Sequence, residues 1–336
     1  MKIGGVDLEK EVLVIAEIGN NHEGSYALAE EMIGLAAGTG VQAVKFQTFK
    51  TEHYVSHKDT ERFARLKSFE LSAEQFERLA AQARKAGLLF LSTPFDLESA
   101  KLLAGIVSAY KVSSSDNNFF PLLDEIARGN KPVILSCGLA GLDEIEYSTN
   151  FLRRAWRMAG IEQSLAALHC VTAYPVPPEE ANLGAIAAMK KRLGLTIGYS
   201  DHTLGIDAAV LSVALGARII EKHFTLNKNH SSFRDHQISA DPAEMTSLVT
   251  KVKEAQILLG SGEKTPQPAE VKNTTAVRRS IVARRDLAVG EVIRWEDLTW
   301  VRPAGGLTPG SEAVVLGKAL KKPVKAGEWI TLDSLS

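Results

Sequence analysis

The sequence predicts an α/β protein, a (β/α)8 barrel followed by a small, mostly β C-terminal domain. Eight short runs rich in β-forming residues alternate with stretches of helical periodicity over roughly the first 260 residues. Such alternation predicts parallel strands joined by right-handed crossovers, and eight repeats of it suit a closed barrel. An open doubly wound sheet would carry a glycine-rich phosphate loop after its first strand. Residues 17–22, EIGNNH, lack that loop, so we expect the barrel.

The predicted strands follow one another at the spacing of βα units. In chain order they are residues 12–18, 43–48, 88–93, 109–113, 132–137, 165–170, 195–199 and 218–224. Apolar residues at helical spacing fill most of the intervals, and the clearest predicted helices are 25–37, 72–86, 142–159, 208–215 and 242–259. The pattern therefore predicts helices packed around an inner ring of strands.

The composition changes after the last predicted helix. Residues 260–268 read GSGEKTPQP, a helix stop followed by proline-spaced polar residues. From residue 276 onward the helical periodicity is absent, and short β-rich pieces are separated by Gly and Pro. We predict a barrel domain over 1–262, a linker over 263–275 and a mostly β domain over 276–336. A domain that small buries little surface alone, so docking on a barrel of this chain or of a partner would stabilise it.

Charge, hydropathy and sulfur content restrict the class of protein. The chain has 39 Lys and Arg against 40 Asp and Glu, so it lacks the basic excess typical of nucleic-acid binding. No apolar run approaches the roughly 20 residues of a membrane helix, and the N-terminal residues lack the apolar core of a signal peptide. Cys137 and Cys170 lie in apolar runs and are expected to be reduced and packed. We expect a globular, cytoplasmic protein without nucleic-acid or membrane partners.

Polar residues concentrate at the carboxyl ends of the predicted strands. In a (β/α)8 barrel these ends meet at one mouth, where the chemistry occurs. Seven of the eight strand ends and the loop after the sixth strand contribute such groups, which are Glu17, Lys45, Gln47, Thr93, Lys111, Ser114, Ser136, Tyr174, His202, Glu221 and His223. Packing alone would place small or loop-forming residues there. The pattern therefore predicts an active site assembled from all sides of the barrel.

Two histidines end consecutive predicted strands. Neighbouring strands lie about 4.8 Å apart, so inward-facing His202 and His223 would be close enough to share one divalent ion. Asp201 and Glu221 would orient them or add oxygen ligands. No cysteine lies in this cluster, which favours an open site completed by water and substrate over a closed zinc site. The alternative is two histidines that are each hydrogen-bonded separately in the barrel mouth.

Two lysines lie on the second and fourth predicted strands. Lys45 and Lys111 would face the barrel interior, where an unpaired ammonium group is costly. Together with hydroxyls at the neighbouring strand ends they suit a phosphate ligand. Two alternatives remain open, namely Lys–Glu ion pairs across the barrel and a Schiff-base lysine of a metal-free aldolase.

Other ionisable residues carry weaker signals. Cys137 has no evident base partner and is expected to be a packed thiol. His22, His53, His57 and His230 fall in predicted loops and are expected to be solvated. His236 follows the eighth strand and is not assigned.

Eight short motifs occur in order, one at each strand end. They are IAEIGNNHEG (15–24), VKFQT (44–48), STPFD (92–96), YKVSS (110–114), ILSCG (134–138), HCVTAYP (169–175), GYSDHT (198–203) and EKHF (221–224). With them the chain resembles the sialic acid synthase family, which comprises N-acetylneuraminate synthases and their legionaminate and pseudaminate synthase relatives. The tail, notably Val301-Arg302-Pro303 and Gly317-Lys318, resembles their antifreeze-like (SAF) domain.

The resemblance implies a (β/α)8 TIM barrel and SAF domain in a domain-swapped homodimer. It implies a transferase that condenses phosphoenolpyruvate with an open-chain N-acylated amino sugar, such as N-acetylmannosamine or a 2,4-diacetamido-trideoxyhexose, and releases phosphate. It also implies Mn²⁺ or Mg²⁺ as the cofactor.

The same resemblance implies roles for individual residues. His202 and His223 would bind the metal, and the catalytic residues would be Glu17, Lys45, Lys111 and Tyr174. Phosphoenolpyruvate would contact Lys45, Thr93, Lys111, Ser114 and Ser136. The sugar would contact Gln47, Tyr174, Asp235 and Arg302, the last reaching into the partner protomer's site.

One loop departs from the family pattern. Members often carry Gly-Pro-Asp where this chain has Phe233-Arg234-Asp235, so the loop expected near the sugar is altered. Alternatives to the implied reaction are another phosphoenolpyruvate-dependent 3-deoxy-sugar-acid synthase, a Schiff-base aldolase using Lys45 or Lys111, and an inactive barrel that serves as a binding scaffold.

Overall fold

The computed structural model describes all residues, 1–336. The chain forms two compact units, Met1–Gly260 and Ser261–Ser336. The first unit is a closed barrel of eight parallel strands, which confirms the fold class predicted from the sequence. No helix is both long and apolar enough to cross a membrane.

The barrel strands follow a short N-terminal hairpin. That hairpin consists of β1 (Lys2–Ile3) and β2 (Val6–Asp7). The barrel strands are β3 (Leu13–Gly19), β4 (Ala43–Thr48), β5 (Leu89–Pro94), β6 (Tyr110–Val112), β7 (Val133–Ser136), β8 (Leu165–Cys170), β9 (Thr196–Asp201) and β10 (Ile219–His223). They pair in chain order, and β10 closes the ring on β3.

Helices occupy the intervals between the strands. They are α1 (Tyr26–Gly38), α2 (Thr51–Tyr54), α3 (Thr60–Phe69), α4 (Ala73–Lys85), α5 (Leu97–Leu103), α6 (Phe120–Arg128), α7 (Leu142–Ala159), α8 (Ala185–Leu193), α9 (Asp207–Ala214), α10 (Asp235–Ile238) and α11 (Pro242–Leu259). Side-chain caps mark the starts of some of them: Ser72 and Gln75 form a capping box before α4, and Asp96 caps α5. The interval between β4 and β5 thus contains two more helices, α2 and α3, than the sequence predicted.

The barrel interior changes from apolar to polar along the strand direction. Toward the amino ends one buried cluster fills the barrel and includes Leu13, Ile15, Ala43, Leu91, Ala109, Ile134, Ala166, Leu168 and Ile219, with Ile3 and Leu8 from the hairpin region. Because side chains alternate in direction along a strand, the inward positions that follow are Glu17, Lys45, Lys111, Ser136 and Glu221. Strand register places Glu17 beside both Lys45 and His223.

Gly198 has a packing role inside the barrel. A Cβ at this position would meet the carbonyl oxygen of Ile219 and the side chain of Leu168. The absence of a side chain therefore lets β9 approach its neighbours closely. This close approach lies directly before the residues of β9 that lead to His202.

The second unit has its own core. It contains the antiparallel pair β11 (Ser280–Ala283) and β12 (Leu298–Val301) and the short helices α12 (Pro268–Val271), α13 (Thr274–Val277) and α14 (Glu312–Val315). Its buried cluster comprises Ile281, Ala283, Leu287, Ile293, Leu298, Val315, Leu320, Val324, Ile330 and Leu335. All residues from 261 to 279 are exposed. Helix α12 and the start of α13 lie in the stretch predicted to be a linker.

His22 is buried, so the prediction that it is solvated was wrong. The segment after β3 that carries His22 folds back on the barrel. It is held there because Asn21 Nδ2 donates to the carbonyl of Phe224 (2.8 Å) and to Ser239 Oγ (3.0 Å). The backbone N–H of Gly24 donates to His22 Nδ1 (3.0 Å), so Nδ1 is unprotonated. Burial lowers the pKa of His22 to about 4.

This buried imidazole predicts a loss of stability in mild acid. An unfolded histidine titrates near its ordinary pKa of about 6.5, whereas folded His22 titrates at about 4. The contribution of neutral His22 to the free energy of unfolding is therefore complete above pH 6.5. It is lost as the pH falls toward 4, and the total loss is about 3 kcal/mol. His22→Asn keeps an acceptor for Gly24 but does not titrate. Urea unfolding at pH 7 and pH 4.5 should show a larger loss for the wild type than for the variant; equal losses would contradict the assignment.

Candidate active site

One cavity of about 780 Å³ opens at the carboxyl ends of the barrel strands. All eight strands contribute to its lining. Its volume lies within the usual range for small-molecule sites. The predicted site residues that line it are Glu17, Lys45, Gln47, Thr93, Lys111, Ser114, Ser136, Tyr174, His202, His223 and Asp235.

Two lysines and two glutamates form a buried network on the cavity floor. Lys45 Nζ lies 2.8 Å from Glu17 Oε2 and 3.8 Å from Glu221 Oε2, and it donates to Thr93 Oγ1 at 3.1 Å. Lys111 Nζ lies 3.5 Å from Glu221 Oε1. The Lys–Glu pairing that was one alternative from the sequence is therefore present, and it occurs inside the cavity.

The two carboxylates of this network have different electrostatic surroundings. Burial raises the pKa of Glu17 to about 7, although the Lys45 ammonium acts in the opposite direction. Burial also acts to raise the pKa of Glu221, but Lys111 and Lys45 hold that pKa below its usual value. Glu17 is thus a group that can exchange a proton near neutral pH, whereas Glu221 is a fixed negative charge.

Several hydroxyls in the cavity have unused hydrogen-bonding capacity. Ser136 Oγ and Thr172 Oγ1 are buried and have no hydrogen-bond partner. Ser114 Oγ accepts from the backbone N–H of Gly138 at 3.0 Å, which leaves its own hydrogen available. Buried polar groups are normally paired, so these hydroxyls together with the two ammonium groups are suited to an oxygen-rich anion.

His202 and His223 face each other across the cavity, with ring centroids 5.4 Å apart. His202 Nδ1 lies 2.8 Å from the carbonyl oxygen of Val171 and must donate to it, which leaves Nε2 as the nitrogen available to a ligand. His223 Nδ1 is buried without a partner, and burial with nearby positive charge holds the pKa of His223 well below its usual value. The free ring nitrogens of these two imidazoles could serve as ligands of a divalent ion. No group of three or more His, Cys, Asp and Glu side chains is arranged as metal ligands.

Tyr174 lies beside these imidazoles. Its ring is 4.2 Å from that of His202 and 6.1 Å from that of His223, and the Arg234 guanidinium lies 4.9 Å above it. Burial raises the pKa of the phenol. Tyr174 therefore remains a neutral hydroxyl that can donate or accept a hydrogen bond at neutral pH.

Asp235 is held at the cavity by the histidine that follows it. His236 is buried, and its Nδ1 lies 2.7 Å from Thr225 Oγ1 while its Nε2 lies 3.1 Å from Glu23 Oε1. These contacts fix the start of α10, which carries Asp235. Burial raises the pKa of Asp235, although the neighbouring Arg234 acts in the opposite direction.

Sequence reasoning missed several residues that line the cavity. Asn20 Nδ2 donates to Gln47 Oε1 at 2.8 Å, and Gln47 Nε2 donates to Glu17 Oε1 at 3.4 Å, so Asn20 orients the predicted residue Gln47. Arg62 and Arg65 of α3 also line the cavity. The long interval between β4 and α4 was a signal that this segment belongs to the site. Long connections in compact domains are commonly functional.

Arg302 is not among the residues that line the cavity. It lies in the second unit, directly after β12, and its side chain is exposed. The role implied for it by the family resemblance remains a prediction.

A closed barrel with buried ionisable groups converging at its carboxyl end defines a (β/α)8-barrel enzyme. The chain belongs to the NeuB family, whose model matches residues 32–264, and residues 278–336 match the SAF domain. The family and the C-terminal domain expected from the strand-end motifs are thereby confirmed.

Named relatives cover nearly the whole chain. The N,N'-diacetyllegionaminic acid synthase of Campylobacter jejuni is 39% identical over 335 residues, covering 96% of this chain and 99% of its own length. The pseudaminic acid synthase of Campylobacter jejuni strain 81-176 is 34% identical and covers 98% of each. The crystal structure of the N-acetylneuraminic acid synthetase from Leptospira borgpetersenii, in complex with citrate, superposes with a TM-score of 0.75 at 36% identity, covering 81% of this chain and 92% of that one.

Proposed function

We propose that this protein condenses phosphoenolpyruvate with an open-chain N-acylated amino sugar to a nonulosonic acid and releases phosphate. One observation carries the proposal: two lysines, unpaired hydroxyls, a proton-exchanging glutamate and two imidazoles line a single cavity at the barrel mouth. Relatives named as legionaminic and pseudaminic acid synthases over the full chain length support the same reaction.

Phosphoenolpyruvate would occupy the floor of the cavity. Lys45 and Lys111 would bind its phosphate and carboxylate, and Thr93, Ser114 and Ser136 would donate hydrogen bonds. Because these groups lie on or directly after four successive barrel strands, β4 to β7, they are fixed before substrate arrives. Such fixed orientation supplies a large part of the rate in a bimolecular condensation.

The reaction balances as follows. The C3 carbon of phosphoenolpyruvate forms a carbon–carbon bond to the aldehyde carbon, whose oxygen takes up a proton and becomes a hydroxyl. Water adds to C2 and loses a proton. The C2–O bond to phosphate then breaks while the C2 hydroxyl gives its proton to the departing phosphate, which leaves a C2 ketone and inorganic phosphate.

Glu17 would act at the C2 centre. Attack by C3 leaves positive charge on C2, and a carboxylate on the cavity floor would stabilise that charge and take the proton of the incoming water. Its pKa of about 7 suits proton exchange near neutral pH. Gln47, Tyr174 and Asp235 would position the sugar, and Mn²⁺ or Mg²⁺ held by His202 and His223 would polarise the aldehyde oxygen as a Lewis acid.

The function is tested by following phosphate release. The protein is incubated with phosphoenolpyruvate, Mn²⁺ or Mg²⁺ and a panel of N-acylated aldoses. We expect aldose-dependent phosphate release that chelator abolishes, and Mn²⁺ binding that is lost in His202→Ala and His223→Ala. Borohydride trapping of a substrate on Lys45 or Lys111, with indifference to chelator, would instead support the Schiff-base aldolase. No phosphate release with any aldose would support the binding scaffold, and release only with non-acylated aldoses would support another 3-deoxy-sugar-acid synthase.

Glu17→Gln should lower kcat by about 10²–10³-fold, because it removes both the charge at C2 and the proton acceptor. Steady-state phosphate release measures the effect, with Mn²⁺ binding as the control for an intact site. A kcat near the wild-type value with metal bound would remove Glu17 from this role.

The site would be completed by the SAF domain of a second protomer. In the proposed domain-swapped homodimer, Arg302 of one chain contacts the acyl amino group bound to the other. Mixing inactive Arg302→Ala with inactive His202→Ala should then restore activity, because mixed dimers contain one site with both residues. Failure of mixed dimers, verified by dual affinity tags, to regain activity would contradict the swap.

A further inference from the structure

Asn20 is a buried residue of the cavity lining to which the proposed reaction assigns no role. It follows β3 directly and is 6% exposed. Its Nδ2 donates to Gln47, whereas its Oδ1 has no hydrogen-bond partner. Buried polar groups are normally paired, so an amide that leaves its oxygen unpaired and keeps only its bond to Gln47 is a candidate for a role in the site.

A shift in strand register brings Asn20 to Gln47. Glu17 and Gly19 of β3 pair with consecutive residues of β4, so β3 contains one extra residue at this point. Gly19 has a φ of +56°, and a Cβ there would lie 3.1 Å from Glu17 Oε1 and 3.4 Å from Gln47 Nε2. Such bulges redirect side chains next to active sites. The bulge therefore lets the Glu17 carboxylate and the Gln47 amide meet and places Asn20 beside them.

The hydrogen bonds of this cluster fix the direction of the Gln47 amide. Asn20 Nδ2 donates to Gln47 Oε1 at 2.8 Å, so the amide oxygen of Gln47 is directed toward Asn20. Gln47 Nε2 is then directed toward Glu17 and donates to Oε1 at 3.4 Å. The other carboxylate oxygen of Glu17, Oε2, lies 2.8 Å from Lys45 Nζ. Each oxygen of Glu17 therefore faces a donor, and Asn20 determines that Gln47 is one of them.

We propose that Asn20 is a positioning residue that acts through Gln47 to hold the Glu17 carboxylate in its reactive orientation. The inference rests on the proposed function, in which Glu17 acts at the C2 centre. Asn20 supplies no group to the reacting atoms, and its effect is on the placement of Glu17. Placement matters because an error of about 1 Å at a reacting group can lower the rate about 10²-fold.

Asn20→Asp keeps the shape of the side chain and reverses its polarity. An ionised aspartate only accepts hydrogen bonds, so it would draw Gln47 Nε2 to itself and turn Gln47 Oε1 toward the Glu17 carboxylate. Asn20→Ala removes the bond but lets Gln47 keep its donor on Glu17. We expect kcat to fall about 10²-fold in Asn20→Asp and about 3- to 10-fold in Asn20→Ala, with the KM for phosphoenolpyruvate unchanged in both. A purely structural role would make the truncation the more harmful change.

A double-mutant cycle with Glu17→Gln tests whether Asn20 acts through Glu17. A neutral amide at position 17 can match either direction of the Gln47 amide. Adding Asn20→Asp or Asn20→Ala to Glu17→Gln should therefore lower kcat by less than 2-fold further. Mn²⁺ binding and urea unfolding show that the site and the fold persist. Asn150→Asp, at an exposed asparagine of α7, is the matched control and should leave kcat unchanged.

Three results would overturn the assignment and leave the proposed function standing. They are a greater loss in Asn20→Ala than in Asn20→Asp, equal losses in the presence and absence of Glu17→Gln, and a rise in the KM for phosphoenolpyruvate at constant kcat. If Asn20→Asp does not fold, the cycle of Asn20→Ala with Glu17→Gln decides alone. Absence of phosphate release from the wild-type protein with every aldose would overturn the proposed function as well.

Discussion

Lys111→Met should lower kcat/KM for phosphoenolpyruvate by about 10²–10³-fold, the effect typical of removing one charge-stabilising donor from an enzyme site. Lys111 is buried on β6, and its ammonium group reaches Glu221 Oε1 at 3.5 Å and the carbonyl of Val112 at 3.3 Å. Burial lowers the pKa of Lys111, so its charge is maintained at a cost in desolvation. An anionic ligand recovers that cost, which is why the variant should lose binding of phosphoenolpyruvate in particular.

Steady-state phosphate release measures the effect of Lys111→Met. Methionine is similar in length to lysine and is apolar. Glu221 keeps its hydrogen bond from Ser200 Oγ at 2.9 Å and its contact with Lys45, so the fold should persist. Lys85→Met removes an exposed lysine of α4 and serves as the control. A loss below 10-fold, with the control unaffected, would show that the phosphate is held elsewhere.

The inward-facing groups of the barrel strands were predictable because two regularities act together. Side chains alternate along a strand with a period of two, and all strand ends of a parallel barrel meet at one mouth. Locating a strand in the sequence therefore fixes which of its residues face the cavity. Glu17, Lys45, Lys111 and His223 follow from this rule alone, and the structure places all of them in the cavity lining.

Features that depend on loop paths were not predictable in this way. His22 is buried because Asn21 binds the backbone at Phe224, about two hundred residues away in sequence. The ring of Phe69 lies edge to face against that of Phe233, and their proximity depends on how two loops pack over the barrel. No periodicity in the sequence encodes such contacts between loops.

Lys222 is the clearest example of a residue whose role the strand pattern concealed. It lies between two inward-facing residues of β10 and so points out of the barrel, toward the helices. Strand register pairs it with Asp201 of β9, and Lys222 Nζ lies 3.0 Å from Asp201 Oδ2. The other carboxylate oxygen of Asp201 accepts from the N–H and the hydroxyl of Thr203, at 2.9 and 2.8 Å. Both charged side chains are at most 1% exposed.

Lys222→Met should lower the free energy of unfolding by about 3–5 kcal/mol, because it leaves the Asp201 carboxylate buried without its counter-ion. Replacing both partners, Lys222→Met with Asp201→Asn, removes the isolated charge and keeps an acceptor for Thr203. The double variant should therefore be more stable than Lys222→Met alone, although each substitution singly is destabilising. Urea unfolding at pH 7 measures all three variants.

An exposed ion pair supplies the comparison for this buried pair. Arg192 of α8 lies 2.6 Å from Glu146 of α7, and its side chain is half exposed. Arg192→Met should change stability by less than about 1 kcal/mol, since water screens such a pair. A similarly small change for Lys222→Met would mean that Asp201 takes up a proton or water when its partner is removed. Asp201 and Lys222 directly precede His202 and His223 in the chain, so we expect Lys222→Met also to disturb the strand ends that carry the two imidazoles.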